Sequence, residues 1–353
     1  MSYNNINLID RLNKNGFLKE DEYKVLLDTY TEEDFLYAKK LSNKITKEIF
    51  GNKIFIRALI EFTNYCKNNC YYCGIQNSNQ NITRYRLGKE EILRCCTTSV
   101  NLGFKTFVLQ GGEDIFFTES IMIDIIKTIR ETYPMCAITL SIGEKEESEY
   151  RAYYNAGANR FLLRHETADF VHYNKIHPTN LSLENRINCL YKLKEIGYTI
   201  GAGFMVGSPF QTIESIVKDL IFLQKLRPHM IGVGPFIPHK DTVFKDQPSG
   251  NLELTLFIIS LLRIMLKNVL LPATTALASL SKYGRIKGIL HGANVIMPNL
   301  TPQEKRKQYM LYNDKLSDGT EAGENIKELI EELNSIGYEI SYERGDWKNG
   351  NNK

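Results

Sequence analysis

No apolar run in this chain is long enough to span a bilayer. The longest, Leu254 to Leu262, ends at Arg263, well short of the roughly 20 residues a membrane helix needs. The opening residues, MSYNNINLIDRLNKNG, hold no apolar stretch of signal-peptide length, so a cytoplasmic protein is expected, with no membrane contact. Blocks of like charge are also missing. Lys and Arg are spread along the chain and the net charge is +3, which leaves no basic patch for nucleic acid or a membrane surface. There is no long linker, low-complexity tract or short internal repeat. Of seven cysteines, none follows Cys189. Without an export signal they point to a reducing compartment, where structural disulfides are rare.

What is present fits a large packed core: 353 residues, 43% hydrophobic, enough for two ordinary domains or one α/β barrel with extensions. The first fifty residues read as helical, with Thr31-Glu32-Glu33-Asp34 as a capped helix start. From Ile54 onward, short strands alternate with amphipathic helices. Strands are expected near Ile54–Phe62, Thr106–Gln110, Ala137–Ser141, Arg160–Arg164, Ile200–Val206, Met230–Gly234, Val269–Ala273 and Asn294–Met297. Eight strands interleaved with helices predict an α/β fold, a (β/α)8 TIM barrel over 51–300. It would carry an N-terminal helical extension over 1–50 and a C-terminal helical cap over 301–353. A doubly wound sheet is the alternative, since periodicity does not show closure. In the cap, Thr301-Pro302-Gln303-Glu304 reads as a helix start and Gly323 to Ile336 as a second helix. The polar end, Gly345 to Lys353, is expected to fray.

In a barrel, residues just past the strand C-termini line one mouth. Here those places are polar: Cys66–Cys73, Gln110-Gly111-Gly112-Glu113, Ser141, Arg164-His165-Glu166, Thr274-Thr275 and Asn294 to Asn299. A purely structural barrel has no need of them, so the pattern implies an enzyme. Cys66-x3-Cys70-x2-Cys73 stands out, because closely spaced thiolates are soft ligands for zinc or an iron–sulfur cluster. Structural zinc wants four closed ligands, and no Cys-x-x-Cys or His pair elsewhere completes the set. Three thiolates on a four-iron cluster would leave one iron open. Cys95, Cys96, Cys136 and Cys189 read as small buried hydrophobes. Gly201-x-Gly203-x3-Gly207 is no dinucleotide site, since Val206 stands where the third glycine is needed.

The three-cysteine spacing, with the aromatic Tyr72 before the last cysteine, resembles the signature of radical S-adenosylmethionine (SAM) enzymes. The strings RYRLGKEEI, VLQGGED, TLSIGE, FLLRHETAD, ENRINCL, GAGFMVGSP, GVGPFIPH, ATTA and GANVIMPN resemble, in order and spacing, the HydE family of FeFe-hydrogenase maturases. The resemblance runs from about Ile54 to Tyr312. It implies one 4Fe-4S cluster on Cys66, Cys70 and Cys73, because no cysteines remain near the C-terminus for an accessory cluster. It implies SAM held by Gly111, Gly112 and Glu113 at the amino group, by Ser141, Glu166 and Arg186 at the methionyl and ribose groups, and beside Tyr72. Glu166 and Arg186 could instead pair with each other. Arg160 and Arg164, on one face of the fourth strand, would bind an anionic substrate or else be paired structural charges. Thr274, Thr275 and Tyr309 would line the substrate pocket. The implied reaction is reductive cleavage of SAM to a 5′-deoxyadenosyl radical. The resemblance implies that the radical attacks the sulfur of an iron-bound cysteine in a small organometallic complex, so a small organometallic or amino-acid-derived substrate is expected. The implied partners are the maturases HydG and HydF and an electron donor. Alternatives are an amino-acid enzyme like methylornithine synthase or biotin synthase, or a non-catalytic iron–sulfur carrier.

Overall fold

The computed structural model describes residues 4–348. Three helices open it, Asn5–Asn15, Glu20–Thr29 and Glu32–Phe50. The third starts where the sequence reading puts it. Thr31 and Asp34 cap each other's backbone N–H groups, which satisfies donors that a helix start leaves free. These helices pack on helix Leu252–Met265, whose central residues are buried on every side. That helix is apolar around its whole circumference, so it needs a cover on both flanks. The N-terminal helices supply the outer one.

Eleven strands are formed among the described residues: β1 (Lys53–Ile56), β2 (Ala58–Thr63), β3 (Thr106–Gly111), β4 (Ala137–Ser141), β5 (Arg160–Leu162), β6 (Thr199–Ala202), β7 (Met205–Val206), β8 (Met230–Ile231), β9 (Gly234–Pro235), β10 (Val295–Ile296) and β11 (Glu339–Ser341). Six form one parallel sheet in the order β2-β3-β4-β5-β6-β8. β7 pairs with β9, and β1 lies between β10 and β11. Isolated parallel bridges continue the ladder at Met230–Leu270, Pro272–Val295 and Leu59–Asn299. The result is a barrel-like α/β fold. β2 is buried along its whole length, as a strand covered on both faces must be.

Three expected strands are each divided. Ile54–Phe62 becomes β1 and β2, because its first half pairs with β10 and its second with β3. Ile200–Val206 breaks at Gly203, whose φ is +158°. A Cβ there would lie 2.0 Å from the Gly232 carbonyl oxygen, so only glycine allows the two backbones to come this close. Met230–Gly234 is interrupted opposite it. The expected strand Val269–Ala273 is not regular. Pro272 has no N–H for a ladder, and the Asn294 side chain stands in by accepting from the Leu271 N–H at 2.9 Å.

The C-terminal part differs from the helical cap expected. It has a short helix, Gln303–Arg306, and a longer one, Ile326–Asn334, but it ends in β11. Thr301 caps no helix; its hydroxyl accepts the Glu61 N–H at 2.7 Å. Nor does the tail fray up to Lys348. The Arg344 carbonyl accepts from Thr106 Oγ1 at 2.8 Å, and the Trp347 ring meets His229 edge-on. This segment seals the end of the ladder where the strands begin; residues 349–353 lie outside the described residues. Arg263, which ends the longest apolar run, is itself fully buried. Its guanidinium donates to the carbonyls of Lys267, Val269 and Gly292 and to Asn294 Oδ1.

His291 lies in this core beside Ser260, its Nδ1 2.8 Å from Ser260 Oγ. Burial lowers its pKa to about 3 from the ordinary 6.5. Between those values the unfolded chain binds a proton that the fold does not, so this contribution is complete above pH 6.5 and is lost as pH falls. The expected slope is about 1.4 kcal/mol per pH unit from this one group. His291→Asn, which keeps an acceptor for Ser260, should show a correspondingly shallower loss of urea stability between pH 7 and pH 5. Equal slopes for the two proteins would refute the assignment.

Candidate active site

β2 delivers the chain into the loop that carries Cys66, Cys70 and Cys73. The loop has no regular structure, and the Arg84 guanidinium gives it shape. It donates to the carbonyls of Asn64, Ile75, Gln76 and Asn79 at 2.5 to 3.0 Å, gathering four backbone acceptors on one planar cation. Arg86 follows with a bidentate pair to Asp114 at 2.7 and 2.9 Å and stacks 3.7 Å over the Tyr65 ring.

The three thiols are free and partly buried. Burial pushes all of them up, and neighbouring thiols add to the effect at Cys70 and Cys73. Cys70 lies well above its ordinary value and Cys73 is raised to about 12. Such thiols hold their protons until a metal displaces them. Among the described residues no three His, Cys, Asp or Glu side chains could hold a metal ion together.

Gly111-Gly112-Glu113 faces the loop from the end of β3. A Cβ on Gly112 would lie 2.2 Å from the Tyr65 carbonyl oxygen and 2.7 Å from Cys66 Cβ, so glycine is required for β3 to touch the cysteine loop. The Lys67 N–H donates to the Glu113 carbonyl at 2.9 Å. The buried Glu113 carboxylate accepts the Glu144 N–H at 3.1 Å and lies 3.9 Å from Arg186. Arg186, from helix Leu183–Ile196, sits 2.8 Å from Glu144, in ion-pair contact but out of hydrogen-bond alignment. Glu166 pairs with Arg164 at 3.0 Å, again without alignment, so Glu166 and Arg186 are not each other's partners. Its backbone has φ +65°, a left-handed conformation that costs a non-glycine residue roughly 1–3 kcal/mol. A bridge to Phe204 and a hydrogen bond to the Gly203 carbonyl at 3.1 Å hold it there.

These groups line one cavity of about 1240 Å³, part of it open to solvent. It gathers Cys66, Cys70, Tyr72 and Cys73 with Gly111, Gly112, Glu113, Ser141, Arg164, Glu166, Arg186, Thr274 and Tyr309. Tyr72 is held by His177, whose Nε2 lies 3.2 Å from its hydroxyl. Two candidates lie elsewhere. Arg160 begins β5, so it sits at the opposite end from Arg164, about 13 Å along a strand. There it is buried and donates to Asp346 at 2.8 Å and to the Arg344 carbonyl at 2.9 Å, a structural charge that ties down the tail. Thr275 starts a short helix and donates its hydroxyl to Glu321 at 2.7 Å, outside the cavity. Glu144 and Arg84 were overlooked as individual residues. Glu144 stands three places past the end of β4, the position that marks the other site residues.

The ladder with a cysteine loop and a glycine–glutamate turn at its C-terminal end defines a radical SAM protein. Residues 60–223 match the radical SAM superfamily, whose members use a 4Fe-4S cluster and SAM. The [FeFe] hydrogenase maturase subunit HydE of Thermotoga maritima is 46% identical over 277 residues, covering 78% of this chain and 79% of that protein. A 3-methylornithine synthase of Methanosarcina acetivorans is 29% identical over 92% of this chain and 91% of its own length. The crystal structure of methylornithine synthase (PylB) superposes with a TM-score of 0.81 at 26% identity, covering 96% of this chain and 98% of that one. The chain belongs to the HydE family of radical SAM enzymes.

If the loop is the cluster site, Cys70→Ala should lose nearly all of the roughly four irons per chain that one cluster supplies. Cys95→Ala, in the buried face of a helix, should keep them. Arg84→Ala should lower iron content while leaving the circular dichroism spectrum unchanged. Stoichiometric zinc in anaerobically purified protein would overturn this.

Proposed function

We propose that this chain is a HydE-type maturase that holds one 4Fe-4S cluster on Cys66, Cys70 and Cys73 and acts in assembly of the FeFe-hydrogenase active-site cluster. The observation that carries this reading is the 46% identity to a HydE, against 29% to a methylornithine synthase. We also read the ladder, with its bridges at Leu270, Pro272 and Asn299, as a full (β/α)8 barrel.

The cavity suits SAM on its own chemistry. Arg164 Nε and Thr274 Oγ1, buried in the cavity wall, have no hydrogen-bond partner, and such atoms are costly unless a ligand satisfies them. Carboxylates at Glu113 and Glu166 answer an ammonium group or ribose hydroxyls, and Arg186 answers a carboxylate. Ser141 adds a hydroxyl, Gly111 and Gly112 bring backbone close, and Tyr72 covers the last cysteine. When bound, a reduced cluster held by Cys66, Cys70 and Cys73 would supply the one electron needed to cleave SAM to methionine and a 5′-deoxyadenosyl radical. The protein's part is to hold the reacting groups in line and exclude water. Arg164, Thr274 and Tyr309, on the rest of the wall, would hold a small anionic organometallic or amino-acid-derived substrate. By family likeness HydG would deliver that substrate, HydF would receive the product, and an electron donor would reduce the cluster. No described helix is long and apolar enough to cross a membrane, which fits work in the cytoplasm.

With dithionite the loaded protein should release 5′-deoxyadenosine. Glu166→Ala should weaken SAM binding about tenfold or more, the worth of one charge-assisted hydrogen bond. Unchanged affinity, measured by equilibrium dialysis, would remove Glu166 from the site. Deleting the gene should leave hydrogenase polypeptide without its diiron centre. Full hydrogenase activity in a deletion strain lacking a paralogue would sink the maturase reading, and SAM cleavage alone would then remain.

A further inference from the structure

A small apolar cluster stands apart from the main core: Ile176, Met205, Phe236 and Phe244, with Tyr71 and Tyr72 packed against it. Its inner side, Met205 and Phe236, lines the cavity. Its outer side reaches solvent. Phe210 is 56% exposed; Val243, next to Phe244 in the chain, is exposed, as are Phe170 and Val171, which open the helix that ends at Ile176. Scattered exposed apolar residues need no explanation, but Phe210 is joined to the cluster by ring contact. The Phe210 ring lies 6.1 Å from Phe244, and Phe244 meets Tyr71 edge-on at 6.3 Å. Tyr71 follows Cys70 directly, and its N–H donates to the Ile176 carbonyl at the end of helix Phe170–Ile176. His172 of that helix lies 3.1 Å from the Pro209 carbonyl, one residue before Phe210.

Phe210 has φ +66°. That conformation is unfavourable for an aromatic residue, and the side chain recovers little of the cost by burial. A strained backbone that turns a phenylalanine outward points to a contact outside the chain. The rim is mostly basic. The Lys175 ammonium sits 5.3 Å over the Phe210 ring, and Lys240 and Lys245 are exposed beside Val243. Asp246 is the exposed acid among them, while Asp241 is engaged by the Asn81 amide.

We infer that this face is the docking surface for an acidic single-electron carrier protein that reduces the cluster. The inference rests on reading the cysteine loop as the cluster site. An apolar centre with aromatic side chains and a cationic rim suits a transient partner of opposite charge. Electron-transfer encounters are also among the smaller interfaces, in keeping with a small apolar centre at Phe210. In the step served, the carrier's reduced flavin or iron–sulfur group loses one electron and the cluster gains it. No bond forms or breaks and no proton need move.

Isothermal titration calorimetry with oxidised flavodoxin at low ionic strength reads docking without turnover, and a ferredoxin serves as the second probe. Phe210→Gly removes the ring and relieves the backbone, so it does not threaten the fold. It and Lys175→Glu should each weaken binding about tenfold or more, and salt should weaken wild-type binding. Dithionite is small and needs no dock, so its 5′-deoxyadenosine yield should stay within about twofold of wild type. Equal binding by wild type and variants overturns the inference, as does no wild-type binding to either carrier. So does a wild-type dimer that these variants dissociate, since the face would then belong to a second copy. Absent dithionite-driven cleavage, with docking intact, would fail the proposed function and leave the dock standing.

Discussion

Every strand of the main ladder runs parallel, so all their C-terminal ends face the same side. The rest of the molecule depends on that constraint. A cysteine loop after β2, glycines after β3, a serine closing β4 and a strained glutamate beyond β5 are far apart in sequence. Parallel pairing in register, from Ala58 with Phe107 to Leu162 with Gly201, brings them to one cavity without further arrangement. The same constraint separates Arg160 from Arg164. Two arginines four residues apart share a face of the strand, yet one lies at the floor and the other at the mouth.

Charge is handled differently at the two ends. At the floor, two cations are satisfied by backbone and tail: Arg160 by Asp346 and the Arg344 carbonyl, Arg263 by three carbonyls and Asn294. At the mouth, Arg164 pairs with Glu166 and Arg186 with Glu144 out of hydrogen-bond alignment, and Arg164 Nε and Thr274 Oγ1 have nothing to bond. A fold seeking stability alone would have finished those bonds. Leaving them open is the mark of a site that a ligand completes.

The alternation of strands and helices was legible because buried parallel strands read as short apolar runs with turn residues between them. Cys66, Cys70 and Cys73 were legible because ligand spacing is local. Arg160 was misread for the opposite reason: its partner, Asp346, lies 186 residues away, and no local pattern announces it. The same holds for Thr275 with Glu321 and for β11, a three-residue strand whose only reason to exist is β1. The division of strands at Gly203 also depends on Gly232 across the ladder, which spacing along one segment does not reveal.

β1 is made early, yet both its neighbours, β10 and β11, come from the last sixty residues. While the chain emerges from the ribosome, β1 has no partner to pair with on either edge. The cysteine loop follows it within ten residues, so the ligands are exposed long before the floor beneath them can close. Closure comes with the final segment, when Glu339–Ser341 docks on β1 and Asp346 reaches Arg160. A truncated chain would therefore carry all three cysteines but lack the segment that closes the floor.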